Sequence, residues 1–334
     1  MKKILITGGA GFIGYHLSMR ESSLGNEVTI LDNFQRSSLD EEFQSLINKP
    51  NVIFMNKDVT VQETFLDLKI DYYDIVYHFV ALNGTENFYK QPVKVLKIGC
   101  LSTIYLLDWI CKHNNAPKVI YSSSPEVYSG IMKIMEDKFP IPTPENVPLG
   151  IDDASNPRWS YAVSKMLGEV AFFNYYETFG FDNFNIIRLA NIYGPRMGNG
   201  HVISEFIIRY LKGEAPFKIV GSEQSRSFLY IDDVLDAMEK IVQSDIKKQI
   251  INIGNEKSET KIIDLAKAIF DFENKQYDFA IHDPPKGSVE RKCLNTENLK
   301  LLGVKEYTSL KEGLRKTFEW YKKDFLNKGD KSEN

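Results

Sequence analysis

Apolar residues fall along the chain in short runs that alternate with longer, helix-spaced stretches. Runs rich in β-branched and aromatic residues at 3–7, 27–31, 52–55, 74–78, 117–122 and 184–189 predict strands. The stretches between them predict helices, among them 12–24, 93–114 and 160–179. Strand and helix in regular alternation predict an α/β fold, a doubly wound parallel sheet with helices on both faces. Past about residue 190 the rhythm loosens, and Gly and Pro gather at Gly194-Pro195, Gly198, Gly200, Gly213 and Pro216. We expect one domain over 1–190 and a smaller α/β domain mainly over 191–326, with parts of the latter returning to the first. The polar stretch 327–334 is expected to be a disordered tail.

Two of the predicted helices are apolar most of the way round. One carries Leu101, Ile104, Tyr105, Leu106, Leu107, Trp109 and Ile110; the other carries Met166, Leu167, Val170, Ala171, Phe172, Phe173, Tyr175 and Tyr176. Such helices need burial on more than one side. Pairing across a two-fold axis in a homodimer meets that need, and burial inside one chain is the alternative.

The first predicted strand runs directly into glycines. Ile4-Leu5-Ile6-Thr7 is followed by Gly8, Gly11 and Gly14, and then by a helical stretch beginning at Phe12 and Ile13. Strand, glycine turn and helix in this order form a dinucleotide-binding fingerprint, so the first domain is expected to be of Rossmann type. The glycines permit a tight turn and close backbone approach, and the helix N-terminus offers free N–H groups to a pyrophosphate. A glycine turn without a ligand is the plain alternative. Asp32, at the end of the second predicted strand, favours the first reading. An acid there accepts hydrogen bonds from the ribose hydroxyls of NAD and repels the 2′-phosphate of NADP. Arg36 weighs slightly the other way.

Composition narrows the class without changing this picture. The chain has 334 residues, 43% hydrophobic and 26% charged, with a net charge of −4. A general nucleic-acid surface is not implied. No apolar run is long enough to span a membrane, and no leader is expected because the fingerprint begins at residue 4. The cysteines, Cys100, Cys111 and Cys293, show no paired spacing and suit a reducing cytoplasm. The scattered His16, His78, His113, His201 and His282 form no ligand pattern, so no metal is expected.

Candidate chemistry lies at Tyr161 and Lys165, one helical turn apart in Tyr161-Ala162-Val163-Ser164-Lys165. An ammonium beside a phenol favours the phenolate, and a phenol so tuned can take the proton of a hydroxyl as hydride leaves. A solvated helix face is the alternative for this spacing alone. Ser122, Ser123 and Ser124 end the fifth predicted strand, at the carboxyl edge where such folds bind ligands.

With these motifs in order, the chain resembles the extended short-chain dehydrogenase/reductases of the NAD-dependent epimerase/dehydratase family, whose members act on nucleotide sugars. The matching stretches are Thr7 to Gly14, Asp32-Asn33-Phe34, Asp58-Val59, Tyr77 to Ala81, Ser122 to Ser124 and Tyr161 to Lys165. They continue through Arg188 to Pro195, Ser225 to Asp233 and Gly287 to Arg291. The resemblance implies that Gly8, Gly11, Phe12, Ile13 and Gly14 lie at the pyrophosphate of NAD, and that Asp32 holds the adenosine ribose. It implies Asp58 and Val59 at the adenine, and Phe79, Val80 and Ala81 along the cofactor cleft. Asn33, Phe34 and Ser122 count to the same site. Ser124, Tyr161 and Lys165 would be the catalytic triad, with Lys165 and Tyr161 also touching the cofactor. Asn191, Arg226 and Arg291 would hold the substrate diphosphate, a task suited to guanidinium forks; surface salt bridging is the alternative for the two arginines.

Three features depart from that pattern: Gly99-Cys100 where many relatives carry Asn-Val, the long stretch from Ser124 to Tyr161, whose proline-rich loop over 141–148 is expected to cover the sugar, and Pro125. The expected activity is NAD-dependent oxidation at C4 of a nucleotide-activated sugar, as a 4-dehydrogenase or a 4-epimerase. The resulting ketone acidifies C3 and C5, where Glu126 is the candidate base. 4,6-Dehydration and decarboxylation are the alternatives, and a non-catalytic NAD-binding regulatory module is the alternative of another class. Because Pro125 replaces the acid that relatives place before the glutamate, dehydration is expected to be slow or absent.

Overall fold

The computed structural model describes residues 1–113, 116–198, 200–284, 288–304 and 306–330. Its centre is a seven-stranded parallel sheet. In chain order the strands are β1 (Lys3–Thr7), β2 (Glu27–Asp32), β3 (Val52–Asn56), β4 (Ile75–His78), β5 (Lys118–Ser123), β6 (Phe184–Leu189) and β7 (Gln249–Ile253). Their spatial order is β7-β6-β5-β4-β1-β2-β3. β1, β4 and β5 are buried almost throughout, which is why they read as continuous apolar runs rather than as alternating ones.

The order reverses between β1 and β4, so a crevice opens there at the carboxyl edge of the sheet. Register brings the strand ends level: Thr7 pairs with His78, and His78 with Tyr121. The glycine turn after β1, Asp32 at the end of β2, Phe79 after β4 and Ser124 after β5 therefore share one edge.

Three helices carry residues that matter below: α1 (Phe12–Ser23), α2 (Pro92–Ile110) and α3 (Ser160–Phe179). The helix expected over 93–114 stops at Ile110, and Asn114 lies outside the described residues. α2 and α3 pack against each other within the chain. Gly99 makes their close approach possible, because a Cβ there would sit 2.5 Å from the Ser164 hydroxyl. The Tyr175 hydroxyl donates to Asp108 at 2.6 Å across the same contact. Much of the apolar surface expected to seek a second chain is thus spent inside one.

The chain divides into two compact units. The first comprises 1–134, 147–189 and 238–251; the second comprises 135–146, 190–237 and 252–334. Residues 135–146, assigned by sequence to the first domain, belong to the second. There Thr143 bonds through its backbone to Cys293 and Asn295, and the Asn252 amide donates to the Thr143 carbonyl at 3.0 Å. The proline-rich stretch over 141–148, expected to cover the sugar, is anchored through Thr143 and through Glu145, which accepts the Asn252 N–H.

The second unit contains two-stranded pairings of Ile192–Tyr193 with Leu229–Tyr230 and of Phe217–Val220 with Phe279–His282. A third small sheet joins Glu259–Lys261, Ser225–Ser227 and Arg291–Lys292. Phe206, Tyr210, Phe217, Phe270 and Phe318 interlock in its core. Its last helix, Leu310–Asp330, continues through the first four residues of the expected disordered tail, and 331–334 lie outside the described residues.

Candidate active site

The candidate catalytic side chains come from the end of β5 and the first turns of α3. Ser124 leaves the strand in an extended conformation and caps a short 3-10 turn, Pro125–Tyr128, with its Oγ accepting the Glu126 N–H at 3.3 Å. Proline suits the first position of that turn because its missing N–H would have no partner there. Tyr161 and Lys165 face inward from α3, 7% and 1% exposed. The Tyr161 ring stacks on Phe88 at 5.2 Å and packs with Leu82, Val95 and Ile98. Ser124 lies near enough to the Tyr161 hydroxyl to act on its titration. Lys165 Nζ stands 6.0 Å from the centre of the Tyr161 ring and 5.0 Å from that of Tyr121.

The protonation states differ from the sequence expectation. Burial pushes the Tyr161 phenol up to about 12, with Glu126 adding to the rise and Ser124 and Arg36 opposing it. Burial also takes Lys165 down to about 7, opposed by Glu169 and Cys100. Neighbouring charge was expected to depress the phenol, but desolvation is the larger effect in the protein alone. Arg36, weighed from sequence only for cofactor choice, is the cation that acts on Tyr161.

Glu126, read from sequence as a base available to the sugar, is engaged. Arg158 Nη2 donates to its Oε2 at 3.2 Å, and both side chains are about four-fifths buried. Arg158 stands just before α3 in the turn Pro157–Trp159, with its guanidinium 5.1 Å from the Trp159 ring centre. It was missed because nothing local marks an arginine 32 positions away as a partner; its place three residues before Tyr161 was the only signal.

Behind the triad, His78 is fully buried. Its Nδ1 lies 2.7 Å from the Thr7 hydroxyl and its Nε2 3.3 Å from that of Ser102. Burial and the nearby Lys165 take it down to about 3, so the ring is neutral.

The residues of the glycine turn fit a dinucleotide. Gly8 has a φ of +75° and bonds through its N–H to Leu31 at 2.8 Å, closing the turn onto β2. A Cβ on Gly14 would meet the Gly8 carbonyl oxygen at 2.4 Å, so only glycine lets α1 approach the turn. α1 begins at Phe12 and Ile13 after Gly11, with no capping side chain and no acid in its first turn. Its first N–H groups and the positive end of its dipole therefore suit an anion.

The other expected cofactor residues divide into two kinds. Asp32 accepts from the Ala10 N–H at 3.0 Å and from the Phe34 N–H at 2.8 Å, which fixes the carboxylate between the turn and the loop after β2. Asn33 caps that loop through the Gln35 N–H, and Phe34, at φ 57°, rests on Phe43 and Phe54. Asp58 is taken up by the Thr60 N–H and hydroxyl, while Val59 is core. Phe79 stacks on Tyr77, Val80 and Ala81 pack against the cluster around Tyr161, and Ser122 is buried in β5.

The expected diphosphate residues lie in the second unit. Asn191, at φ 21°, donates to the Ser227 carbonyl at 3.0 Å. Arg226 donates to the carbonyls of Ser225, Val289 and Glu290. Arg291 forms a bidentate pair with Glu259 at 2.7 and 2.8 Å, which is the salt bridge named as its alternative role. Strand pairing sets Arg291 beside Ser225 and Lys292 beside Arg226. Gly287, at the head of the same motif, lies outside the described residues.

Comparison with known proteins gives the family. The model of the NAD dependent epimerase/dehydratase family matches residues 4–254. A putative UDP-glucose 4-epimerase of Methanocaldococcus jannaschii is 32% identical, over 96% of this chain and 98% of its own length. UDP-glucuronic acid decarboxylase 5 of Arabidopsis thaliana is also 32% identical, over 93% of this chain and 87% of its own. Among solved structures, UDP-glucose 4-epimerase of Thermotoga maritima with UDP-glucose superposes with a TM-score of 0.83 at 26% identity, covering 97% of this chain and 99% of that one. With a family model matching three quarters of the chain and relatives at 32% identity over nearly all of it, this chain belongs to the NAD-dependent epimerase/dehydratase family of extended short-chain dehydrogenase/reductases, enzymes that work with NAD.

Proposed function

We propose that this chain oxidises C4 of a UDP-activated sugar and returns the hydride to the opposite face, as a 4-epimerase. The observation that carries the reading is Tyr161 and Lys165 facing inward together on α3, near Ser124 at the end of β5. Bound NAD supplies the hydride acceptor. Tyr161 takes the proton of the C4 hydroxyl, and Ser124 holds that oxygen by a hydrogen bond. The Lys165 ammonium stabilises the phenolate and, with Asp32 at the adenosine end, binds ribose hydroxyls. Phe12, Ile13 and the three glycines receive the pyrophosphate. Arg226, and Arg291 once it is released from Glu259, neutralise the substrate diphosphate together with the Asn191 amide.

Arg158 favours a second reading, decarboxylation of a UDP-uronate. Among the described residues it holds Glu126 through Nη2, and the rest of its guanidinium fork suits a C6 carboxylate. A 4-keto uronate is a β-keto acid. Its C5–C6 bond breaks with release of carbon dioxide, the electron pair passes to the C4 oxygen, and C5 is then protonated. No acid is needed for a leaving hydroxyl, so Pro125 is no obstacle. For 4,6-dehydration, by contrast, proline offers no proton to the C6 oxygen.

The chain acts as a homodimer in a reducing cytoplasm. The dimer reading rests on the outward row left on α3, where Leu167 is 37% and Val170 55% exposed beside partly buried Phe173. The compartment reading rests on three free thiols. One experiment separates the reactions: incubation with NAD and either UDP-glucose or UDP-glucuronate, with products read by NMR and mass spectrometry. The C4 epimer of UDP-glucose is expected; loss of carbon dioxide from UDP-glucuronate establishes the second reading; a 4-keto-6-deoxy sugar overturns both.

A further inference from the structure

A fully buried ion pair of the first unit stands one turn beyond Lys165 and has no part in the chemistry above. Glu169 and Arg188 are 2% and 1% exposed. Arg188 grips the carboxylate at two points, Nε to Oε1 at 2.9 Å and Nη2 to Oε2 at 2.7 Å. The Ser123 hydroxyl donates to Oε1 at 2.5 Å. These contacts join three elements: Ser123 ends β5 immediately before Ser124, Arg188 lies in β6, and Glu169 lies in α3. Tyr161, Lys165 and Glu169 follow one another at intervals of four on α3 and share one buried face.

The surroundings of Lys165 give this pair a specific task. Facing the ammonium are His78 of β4, Cys100 of α2, Tyr121 of β5, and Tyr161 and Glu169 of its own helix. Burial keeps the His78 ring neutral, the Cys100 thiol up, and the Tyr121 and Tyr161 phenols up. Glu169 is the carboxylate in this set, and Arg188 and Ser123 hold its two oxygens in place. Lys165 itself forms no ion pair among the described residues. A buried ammonium with no counter-charge gives up its proton.

We propose that Glu169 is a positioning residue for the Tyr161–Lys165 pair: clamped by Arg188 and Ser123, it ties the strand end carrying Ser124 to α3 and supplies the counter-charge that keeps Lys165 an ammonium. The role rests on the reading of Lys165 given above. It makes the Ser123–Glu169–Arg188 network part of the tuning of the site rather than only of its stability. Breaking such a pair at one end strands a buried charge, whereas replacing both ends removes that penalty.

The test is a pH titration of the cofactor-free full-length protein with 13C-labelled lysine ε-carbons. The Lys165 resonance is assigned by its loss in Lys165→Arg. Glu169→Gln should lower the Lys165 midpoint by about one to three units, the usual effect of removing a close opposite charge. The paired variant Glu169→Gln with Arg188→Met, which leaves no stranded guanidinium, should lower it likewise and serves where the single variant does not fold. Glu169→Asp, which keeps the charge, should restore the midpoint towards wild type. A purely structural network predicts instead that all folded variants titrate alike, and an unmoved Lys165 in a folded Gln variant overturns the proposal. The titration is read with neither NAD nor sugar. A chain that converts no UDP-sugar therefore fails the proposed function alone, and an active enzyme with an unmoved Lys165 fails this inference alone.

Discussion

Arg158 holds Glu126 at 3.2 Å, so the carboxylate two residues after Ser124 arrives at the candidate site already paired. The contact sets the direction of Glu126, whose charge acts on Tyr161. A substrate that brings its own carboxylate meets a guanidinium with donors to spare; a neutral hexose meets a satisfied ion pair.

Arg158→Gln separates these cases. If a uronate is the substrate, turnover of UDP-glucuronate should fall about 10–100-fold, the worth of one charge-assisted hydrogen bond. Turnover of UDP-glucose should change by much less. Steady-state kinetics with both sugars checks this, and equal losses on both would assign Arg158 to holding Glu126 alone.

Tyr161→Phe removes the proposed proton acceptor and leaves the stacking on Phe88 in place. kcat should fall by about two to four decades, the usual worth of a positioned acid–base group, with NAD and sugar binding nearly unchanged. Retention of more than about a tenth of the wild-type rate would show that another group takes the proton.

Gly14→Ala places a methyl group 2.4 Å from the Gly8 carbonyl oxygen, a backbone atom that cannot rotate away. The expected cost is about 1–3 kcal/mol of stability, with weakened NAD binding as the turn opens. Gly198→Ala is the control, since its Cβ would meet nothing within 4 Å. Thermal melts and NAD titrations of the two variants should differ; matching behaviour would show that the turn yields without cost.

His78 makes the protein acid-sensitive. Its ordinary value lies near 6.5, and burial takes it to about 3 in the folded chain. Below pH 6.5 the unfolded chain binds a proton that the folded chain refuses, so stability present above pH 6.5 is lost as pH falls towards 3. The loss from this group by pH 4 is on the order of 3 kcal/mol. Denaturation of wild type and His78→Gln at pH 7 and pH 4 should show a smaller acid loss in the variant, and parallel losses would assign the sensitivity to carboxylates.

Val170→Glu tests association. Val170 is 55% exposed on the outer face of α3, so a glutamate there costs the isolated chain little. Light scattering at micromolar concentration should give a dimer for wild type and a monomer for the variant. A wild-type monomer would confine the apolar faces of α2 and α3 to the packing they already make with each other.

By itself the sequence determined the strands and helices whose signals are local. β1, β2 and β6 lie within a residue of where their apolar runs fall, and α3 spans 160–179 as its pattern predicts, because buried runs and helical spacing survive any tertiary context. The glycine turn was equally legible: Gly8 and Gly14 are demanded by a φ of +75° and a 2.4 Å approach that no other residue meets. The residues of the second unit were nameable from the family pattern, but that Arg291 pairs with Glu259 was not. What only the tertiary structure decided are partnerships distant in sequence and balances between opposing effects. β7 rejoins the sheet beside β6 some 60 positions later, and 135–146 crosses into the other unit, because sheet edges and loop anchors are chosen by whole surfaces. Glu126 finds Arg158, and Glu169, in plain helical register with Lys165, finds Arg188 and Ser123. The spacing of Tyr161 and Lys165 announces a lowered phenol, yet burial raises it, because desolvation depends on everything that closes over a group and no local spacing records that.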